Sequence, residues 1–570
     1  MKLLSSLLFL LTTSPALWGQ LWFEDLTDSL GLRHAGWKNH GIALADIDRD
    51  GDLDIYAFTR LGENQLYENL GAWQFTNIAP LAWVNHPGSS RAAVFGDINN
   101  DGWPDLYLAN YQSLDNLFLN QGPDENGQIR FLDITIPSGI YNKSEPRSVN
   151  MADVDGDGWL DIYVVNYQEP NRLYRNLGDL RFEDISEEAG VPGGPFSMGS
   201  VFFDYDKDGD QDAFLTHDFL SPCMLYENDG KGSFKNVASA LQADLRLHGM
   251  GVDIADIDHD GWLDVYITDL AENVLLRNEQ GQGFTQMDET AGVGDPGMGW
   301  GTFFLDADND GWQDLYVIND SHFSPEPNAF FRNLGNGRFE ALSTPGPVAS
   351  AKGGVGGAWG DLNGDGAPDL MVANPNEGHE VFANTHQGGN WLALHLEGSS
   401  SNRSAIGARV EIFYEGHGYQ MDQLTAGSGY AGQSQTDLHF GLGMADMADY
   451  VQVHWPTGKR EGFTQLAANQ RHQLVEGQGE QLEETSWQIV RLFPSPAKDQ
   501  VQLDLLCPTP GSLSAHLFNA QGQVLQTWDA IPLAPGSHEI PLQLQPHPGG
   551  VYFLHLSVNQ IEHSIPILIQ

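Results

Sequence analysis

The sequence predicts an all-β chain, a seven-bladed β-propeller followed by two small β-sandwich-like domains. Three observations predict it. An aspartate-rich nonapeptide recurs seven times, short β-type apolar runs frame every copy, and two later segments alternate apolar residues with glycine-rich turns. At 570 residues the chain exceeds one hydrophobic core and divides into several domains. Its formal net charge is −50, yet 41% hydrophobic and 11% aromatic residues argue for folded structure. Such a chain holds cations among its carboxylates or repels itself. Phosphate backbones need a positive surface, so nucleic acid is excluded as a partner and anionic lipid is disfavoured.

Taken in order, residues 1–19 combine Lys2, an apolar run through Leu10 and Leu11, and small residues near Gly19. That pattern reads as a secretory signal peptide, with no cysteine behind it for a lipid anchor. No later stretch is apolar enough to span a membrane. Cys223 and Cys507 alone make no disulfide framework, so stability outside the cell must come from elsewhere.

The nonapeptides are DIDRDGDLD at Asp46, DINNDGWPD at Asp97, DVDGDGWLD at Asp153, DYDKDGDQD at Asp204, DIDHDGWLD at Asp256, DADNDGWQD at Asp306 and DLNGDGAPD at Asp361. Their starts are 51, 56, 51, 52, 50 and 55 residues apart. Oxygens at positions 1, 3, 5 and 9 converge when the chain wraps tightly, and glycine at position 6 permits the positive φ of the turn. The candidate metal ligands are therefore Asp46, Asp48, Asp50 and Asp54; Asp97, Asn99, Asp101 and Asp105; Asp153, Asp155, Asp157 and Asp161; Asp204, Asp206, Asp208 and Asp212; Asp256, Asp258, Asp260 and Asp264; Asp306, Asp308, Asp310 and Asp314; and Asp361, Asn363, Asp365 and Asp369. An all-oxygen set of this kind suits calcium, up to seven ions in all. Position 12 is never glutamate, so the loops are not EF-hands. Asn99 and Asn363 leave two loops with three carboxylates and weaker expected binding.

Each loop joins a small-residue run, such as GIALA, to an apolar run, such as LDIYAF, as a metal-pinned hairpin. A third run follows (NQLYENLG at Asn64, NRLYRNLG at Asn171, NAFFRNLG at Asn328), then a fourth carrying Phe131, Phe182 or Phe284. Four strands per unit of about 50 residues is a propeller blade. The seventh unit has no Phe strand of its own, so residues 23–27 are expected to supply it and close the ring. Trp103, Trp159, Trp262 and Trp312 are expected between blades. These motifs resemble the FG-GAP, or VCBS, repeats of integrin-like and bacterial surface propellers, over residues 20–385.

Residues 388–477 form the next expected β domain. SNRSAIGARV at Ser401, GSGY at Gly427 and HFGLG at His439 resemble the ASPIC/UnbV module that follows such propellers in the cartilage acidic proteins and their bacterial relatives. That family offers no catalytic residues to carry over. Residues 486–570 open with LFPSPAKDQVQL at Leu492 and close with GGVYFLHL at Gly549 and a short apolar tail. They are similar to the C-terminal sorting domain of the type IX secretion system, which implies passage across an outer membrane.

No G-x-S-x-G, H-E-x-x-H, phosphate-binding glycine loop or C-x-x-C is present. The end of each hairpin opposite its loop should bring two positions together. The first set is His40, Arg91, Arg147, Met198, Met250, Trp300 and Val355; the second is Thr59, Asn110, Asn166, His217, Asp269, Asn319 and Asn374. Such a funnel can be a set of satisfied strand ends or a polar ligand site. The expectation is a secreted or cell-surface calcium-binding protein, monomeric and non-enzymatic, with an extracellular protein or glycan as ligand. The alternative is a polysaccharide lyase or hydrolase working in the funnel through His40, Arg91, Arg147 or His217.

Overall fold

The computed structural model describes residues 23–34, 38–342, 346–386, 388–414, 418–481, 488–493, 497–507, 511–519, 523–533, 536–558 and 561–569. The expected signal peptide lies outside them. Seven four-stranded antiparallel sheets lie between Phe23 and Asn384 among the described residues. In the first, Asn39–Ala45 pairs with Asp54–Thr59, which pairs with Gln65–Asn69 and then Phe75–Asn77. Every residue of Asn39–Ala45 is buried, whereas the outermost strand is half-buried to exposed. That gradient explains why the first runs are built from Gly, Ala and Ile, since neighbouring sheets press on both of their faces.

The innermost strands Asn39–Ala45, Ser90–Gly96, Pro146–Ala152, Ser197–Phe203, Gly249–Ala255, Gly299–Leu305 and Gly356–Gly360 touch one another in that order, and the last touches the first. The arrangement is consistent with a propeller. The seventh sheet takes its fourth strand from the opposite end of the chain, where Phe23–Asp25 pairs with Gly378–Asn384. The late asparagine of each third run ties the sheets together. Asn120, Asn176, Asn228, Asn278, Asn333 and Asn384 each donate from Nδ2 to a carbonyl in the acid loop of the preceding sheet, at 2.8–3.0 Å. Asn69 of the first sheet reaches Leu362 O of the seventh at 2.8 Å.

Two further sheets follow, Leu438–Gly443 with Asn390–Glu397 and Gln470–Val475, and a five-stranded sheet from Arg409–Tyr414 to Glu480–Gln481. They do not stand apart. Leu394, Ile406, Val410 and Trp455 share one buried core with Val94, Met151, Leu160 and Ile162 of the second and third repeats. The C-terminal pair of sheets has a core of its own, centred on Val501, Leu503, Leu517, Leu554 and Leu556. No described helix is long and apolar enough to cross a membrane. Cys223 is a buried free thiol whose pKa burial pushes up to about 12, so it is inert.

Candidate metal loops and the axial mouth

Each acid loop is wound by its own carboxylates. In the first, the N–H groups of Asp50 and Gly51 donate to Asp46 at 3.1 and 3.0 Å, and that of Asp52 donates to Asp50 at 2.9 Å. Gly51 takes φ +98°, as the turn requires, and Arg49 two positions earlier takes φ +60°. The second positive φ recurs at Asn100, Gly156, Lys207, His259, Asn309 and Gly364. Asn or Gly in four of the seven copies was the sequence signal for it.

Position 9 carries a further task beside positions 1, 3 and 5. Both oxygens of Asp54 accept backbone N–H groups, from Ile47 at 2.9 Å and Asn69 at 2.8 Å. Asp105, Asp161, Asp212, Asp264, Asp314 and Asp369 repeat the arrangement at 2.7–3.4 Å. Position 9 therefore latches loop to third strand. Carboxylate oxygens gather within 4.8 Å of one another in Asp46/Asp48/Asp50, Asp256/Asp258/Asp260 and Asp306/Asp308/Asp310, and with position 9 in Asp153/Asp155/Asp161 and Asp204/Asp206/Asp212. One buried oxygen, Oδ1, of each of Asp155, Asp204 and Asp308 lacks any hydrogen-bond donor among the described residues. Burial pushes Asp97, Asp153 and Asp361 up to about 6, with repulsion from neighbouring carboxylates adding to it. Carboxylates crowded this way hold protons or a cation, and the donor set suits a hard divalent ion. The sixth loop carries an internal competitor, because Arg332 sits 2.7 Å from Asp308 and 2.9 Å from Asp310.

Side chains at position 4 lie on the next loop. Arg49 and Lys207 stand over Trp103 and Trp262, and His259 stacks on Trp312 at 3.7 Å. These tryptophans thus lie between adjacent loops. Two motifs of the 388–481 segment dock on the same surface. Ser404 Oγ accepts Asp97 N–H at 3.1 Å, Arg403 N–H reaches Asn100 at 2.7 Å, and His439 Nε2 lies 2.7 Å from Asn309 Oδ1. Arg409 faces Asp204 at 3.4 Å.

The GSGY motif enters the axis itself. Gly429 exchanges backbone bonds with Val252 at 3.0 and 2.7 Å, Ala426 O accepts Met151 N–H, and Gln433 pairs with Ile42 and Leu44. Gln433 also clamps Phe95, and Ser434 and Gln435 reach Trp359. The segment is a stopper that satisfies the edge groups of inner strands, which no neighbouring strand can reach. Its glycines are required. A Cβ on Gly427 would lie 2.4 Å from Val149 O, one on Gly429 2.6 Å from Thr302 O, and one on Gly432 2.6 Å from Gly357 O.

At the far mouth the expected pairing is shifted by one residue. Asn39, not His40, faces Thr59, and His40 sits in a β-bulge. Arg91, Arg147, Met198, Met250 and Trp300 occupy the same irregularity in their sheets. A bulge inserts an unpaired residue and re-aims its side chain, here toward the axis. Tyr430 fills the centre, with the His40 ring 6.1 Å and the Trp300 ring 5.2 Å away, and Met198, Met250 and Val355 packed in the same cluster. The second set is buried and mostly tied into the hairpin ends. His217 bonds Ser197 and Gly194, Asn319 bonds Asp295, and Asn374 bonds Glu380.

Repeated sheets with an acid loop on each define a class, and family comparison places the chain in it. The FG-GAP-like repeat model matches residues 46–108, 97–164, 153–215, 216–267, 256–317 and 306–372, so the chain belongs to the FG-GAP-repeat family. The ASPIC and UnbV model matches residues 398–481, and the secretion system C-terminal sorting domain matches residues 491–570. The sorting domain makes this a secreted or cell-surface protein. Among curated proteins the chain is similar to cartilage acidic protein 1 of Mus musculus, 27% identical over 473 residues, covering 74% of this chain and 71% of that one. The Homo sapiens protein is 26% identical, covering 74% and 69%. Solved structures include an Agrocybe aegerita lectin recognising non-reducing terminal N-acetylglucosamine (18% identity, 60% of this chain and 87% of that one, TM-score 0.38). Saccharomyces cerevisiae Sqt1 overlaps at 10% identity, 62% of this chain, 97% of that one and TM-score 0.39.

Proposed function

We propose that this is a calcium-stabilised, non-enzymatic binding protein of the cell exterior, a closed seven-bladed propeller with the 388–481 segment as its stopper. The observation that carries the reading is the crowding of acid-loop carboxylates at buried positions, with oxygens of Asp155, Asp204 and Asp308 that no described donor satisfies. Calcium supplies the missing charge: seven ions add +14 and bring the net charge from −50 to −36. The acid-loop face is occupied by the stopper and its sheets, so ligand binding falls to the opposite face. Support for a non-catalytic role is that His40 and His217 are both buried, with pKa values held below the usual histidine value by burial.

Calorimetry with and without EDTA tests the calcium reading. A ligand bound only by the folded state raises the melting temperature, so chelation should lower it steeply. Metal analysis should approach seven calcium ions per chain. An unchanged melting curve in EDTA overturns the proposal.

A further inference from the structure

On a chain with only 27 basic residues against 77 acidic ones, three arginines converge at one point. Arg91 and Arg147 occupy the bulges of neighbouring inner strands at the mouth opposite the acid loops, Arg60 directly follows the strand Asp54–Thr59, and all three act electrostatically on Tyr430 and His40. Among the described residues none of the three forms an ion pair. Of the acidic groups at this end, Asp218 is paired with His248 at 2.8 Å, and Asp269 accepts the N–H groups of His248 and Ala271. Arg91 is 8% exposed, its Nε has no described partner, and its guanidinium lies over the Tyr111 ring at 4.6 Å. Arg147 lies over Tyr167 at 4.2 Å. Arg147 Nη1 donates to Pro146 O at 3.2 Å; a guanidinium over a ring keeps its remaining N–H groups for other acceptors. Beside them the buried Trp300 Nε1 is a second donor without a described partner. Like charges are not gathered this way for stability. Burial and the two neighbouring arginines push the Arg91 pKa down to about 10.

We propose that this mouth is an anion-binding cup for the carboxylate or sulfate groups of an acidic polysaccharide, with Arg60, Arg91 and Arg147 as the binding forks. The proposal rests on the binding-protein reading above and names its ligand class. Guanidinium forks match carboxylate and sulfate geometry, while Trp300 Nε1 gives a neutral donor suited to a sugar hydroxyl. The protein's overall negative charge opposes polyanions at long range. That repulsion fades beyond a Debye length of about 8 Å at physiological salt, so the cup must act by short contacts.

The test is titration calorimetry of the full calcium-loaded chain with oligogalacturonate, a sulfated oligosaccharide, a neutral dextran oligomer of equal length, and an oligoglutamate peptide. Binding of an acidic saccharide, not of dextran or oligoglutamate, is expected. Arg147→Gln and Arg60→Gln should each weaken it roughly tenfold or more, the loss of one charge-assisted contact. Both side chains reach the surface, so these variants should fold, and an unchanged EDTA-sensitive melting curve verifies it. No saccharide binding by the parent chain, equal binding by both variants, or preference for oligoglutamate overturns the proposal. A melting curve insensitive to EDTA instead counts against the calcium reading, so the two failures are separable.

Discussion

Asp115 occupies a place where four other repeats have asparagine: Asn64, Asn171, Asn273 and Asn328. It is fully buried and accepts from Tyr107, Asn110 and Asn142 at 2.7–2.8 Å, yet burial pushes its pKa up to about 7. A carboxyl whose folded pKa lies above its unfolded value of about 3.9 is tolerated when protonated and destabilises once charged. Asp115→Asn should therefore leave stability unchanged below about pH 4 and increase it through pH 7, by on the order of 2–4 kcal/mol at the plateau, with the melting temperature rising in step. A pH series of melting curves on the two proteins checks this. Arg332 offers a second residue-scale test. Arg332→Gln removes the guanidinium competing for Asp308 and Asp310, so metal titration should show tighter calcium uptake by one site. The aspartates and the position-6 glycines were legible in the sequence because no other residue types give that turn and that charge. The latching role of position 9 was not, because a carboxylate that binds N–H groups and one that binds metal look alike in a motif. The tying asparagines, such as Asn120, were visible as a repeated letter in ENLG, LNQG and RNLG, but their partner lies in another repeat.

Among the elements, the stopper was the least legible. GSGY reads as a glycine-rich turn of a small β domain, and nothing in its spacing says that its hydrogen-bond partners are inner strands hundreds of residues earlier. The structure assigns each glycine a neighbour. Gly432→Ala should lower the melting temperature of the whole propeller, because its Cβ meets Gly357 O and Ile42 O at 2.6 and 2.7 Å. Overpacking against backbone costs about 1–3 kcal/mol. The hairpin-end funnel was predicted in place but not in register, since a bulge cannot be read from alternation alone. Glu476 braces the segment from the other side. Burial opposes its ionisation, but N–H groups of Ser401, Ser400 and Ser399 and the Thr457 hydroxyl outweigh it and hold its pKa down to about 2. Stability from such a group is present above its unfolded pKa and lost as pH falls toward 2. Glu476→Gln should thus cost about 2 kcal/mol at neutral pH, with the difference from the parent shrinking below about pH 4.5.

For the whole molecule, the division of cores predicts how truncations behave. A chain ending near residue 481 loses only the C-terminal pair of sheets, whose core is its own, and should keep the melting transition of the rest. A chain ending near residue 385 removes the stopper and half of a shared core, and should lose that transition or lower it severely. Circular dichroism melts of the two truncations distinguish these outcomes. The recurrence of the acid loops was evident from the sequence because it is local and periodic. The fusion of the 388–481 segment to the repeats was not, because its contacts are long-range.

The pairing of Phe23–Asp25 with Gly378–Asn384 sets an order of events for a chain leaving its channel N-terminus first. The strand Phe23–Asp25 must wait, unpaired, until the last repeat has appeared, and the axis stays open until Gln433 follows. Throughout that interval strand edges and half-formed acid clusters face the surroundings, and closure by such distant segments is slow. Holding the chain soluble meanwhile falls to its excess negative charge, which therefore serves the protein before it has folded as much as after.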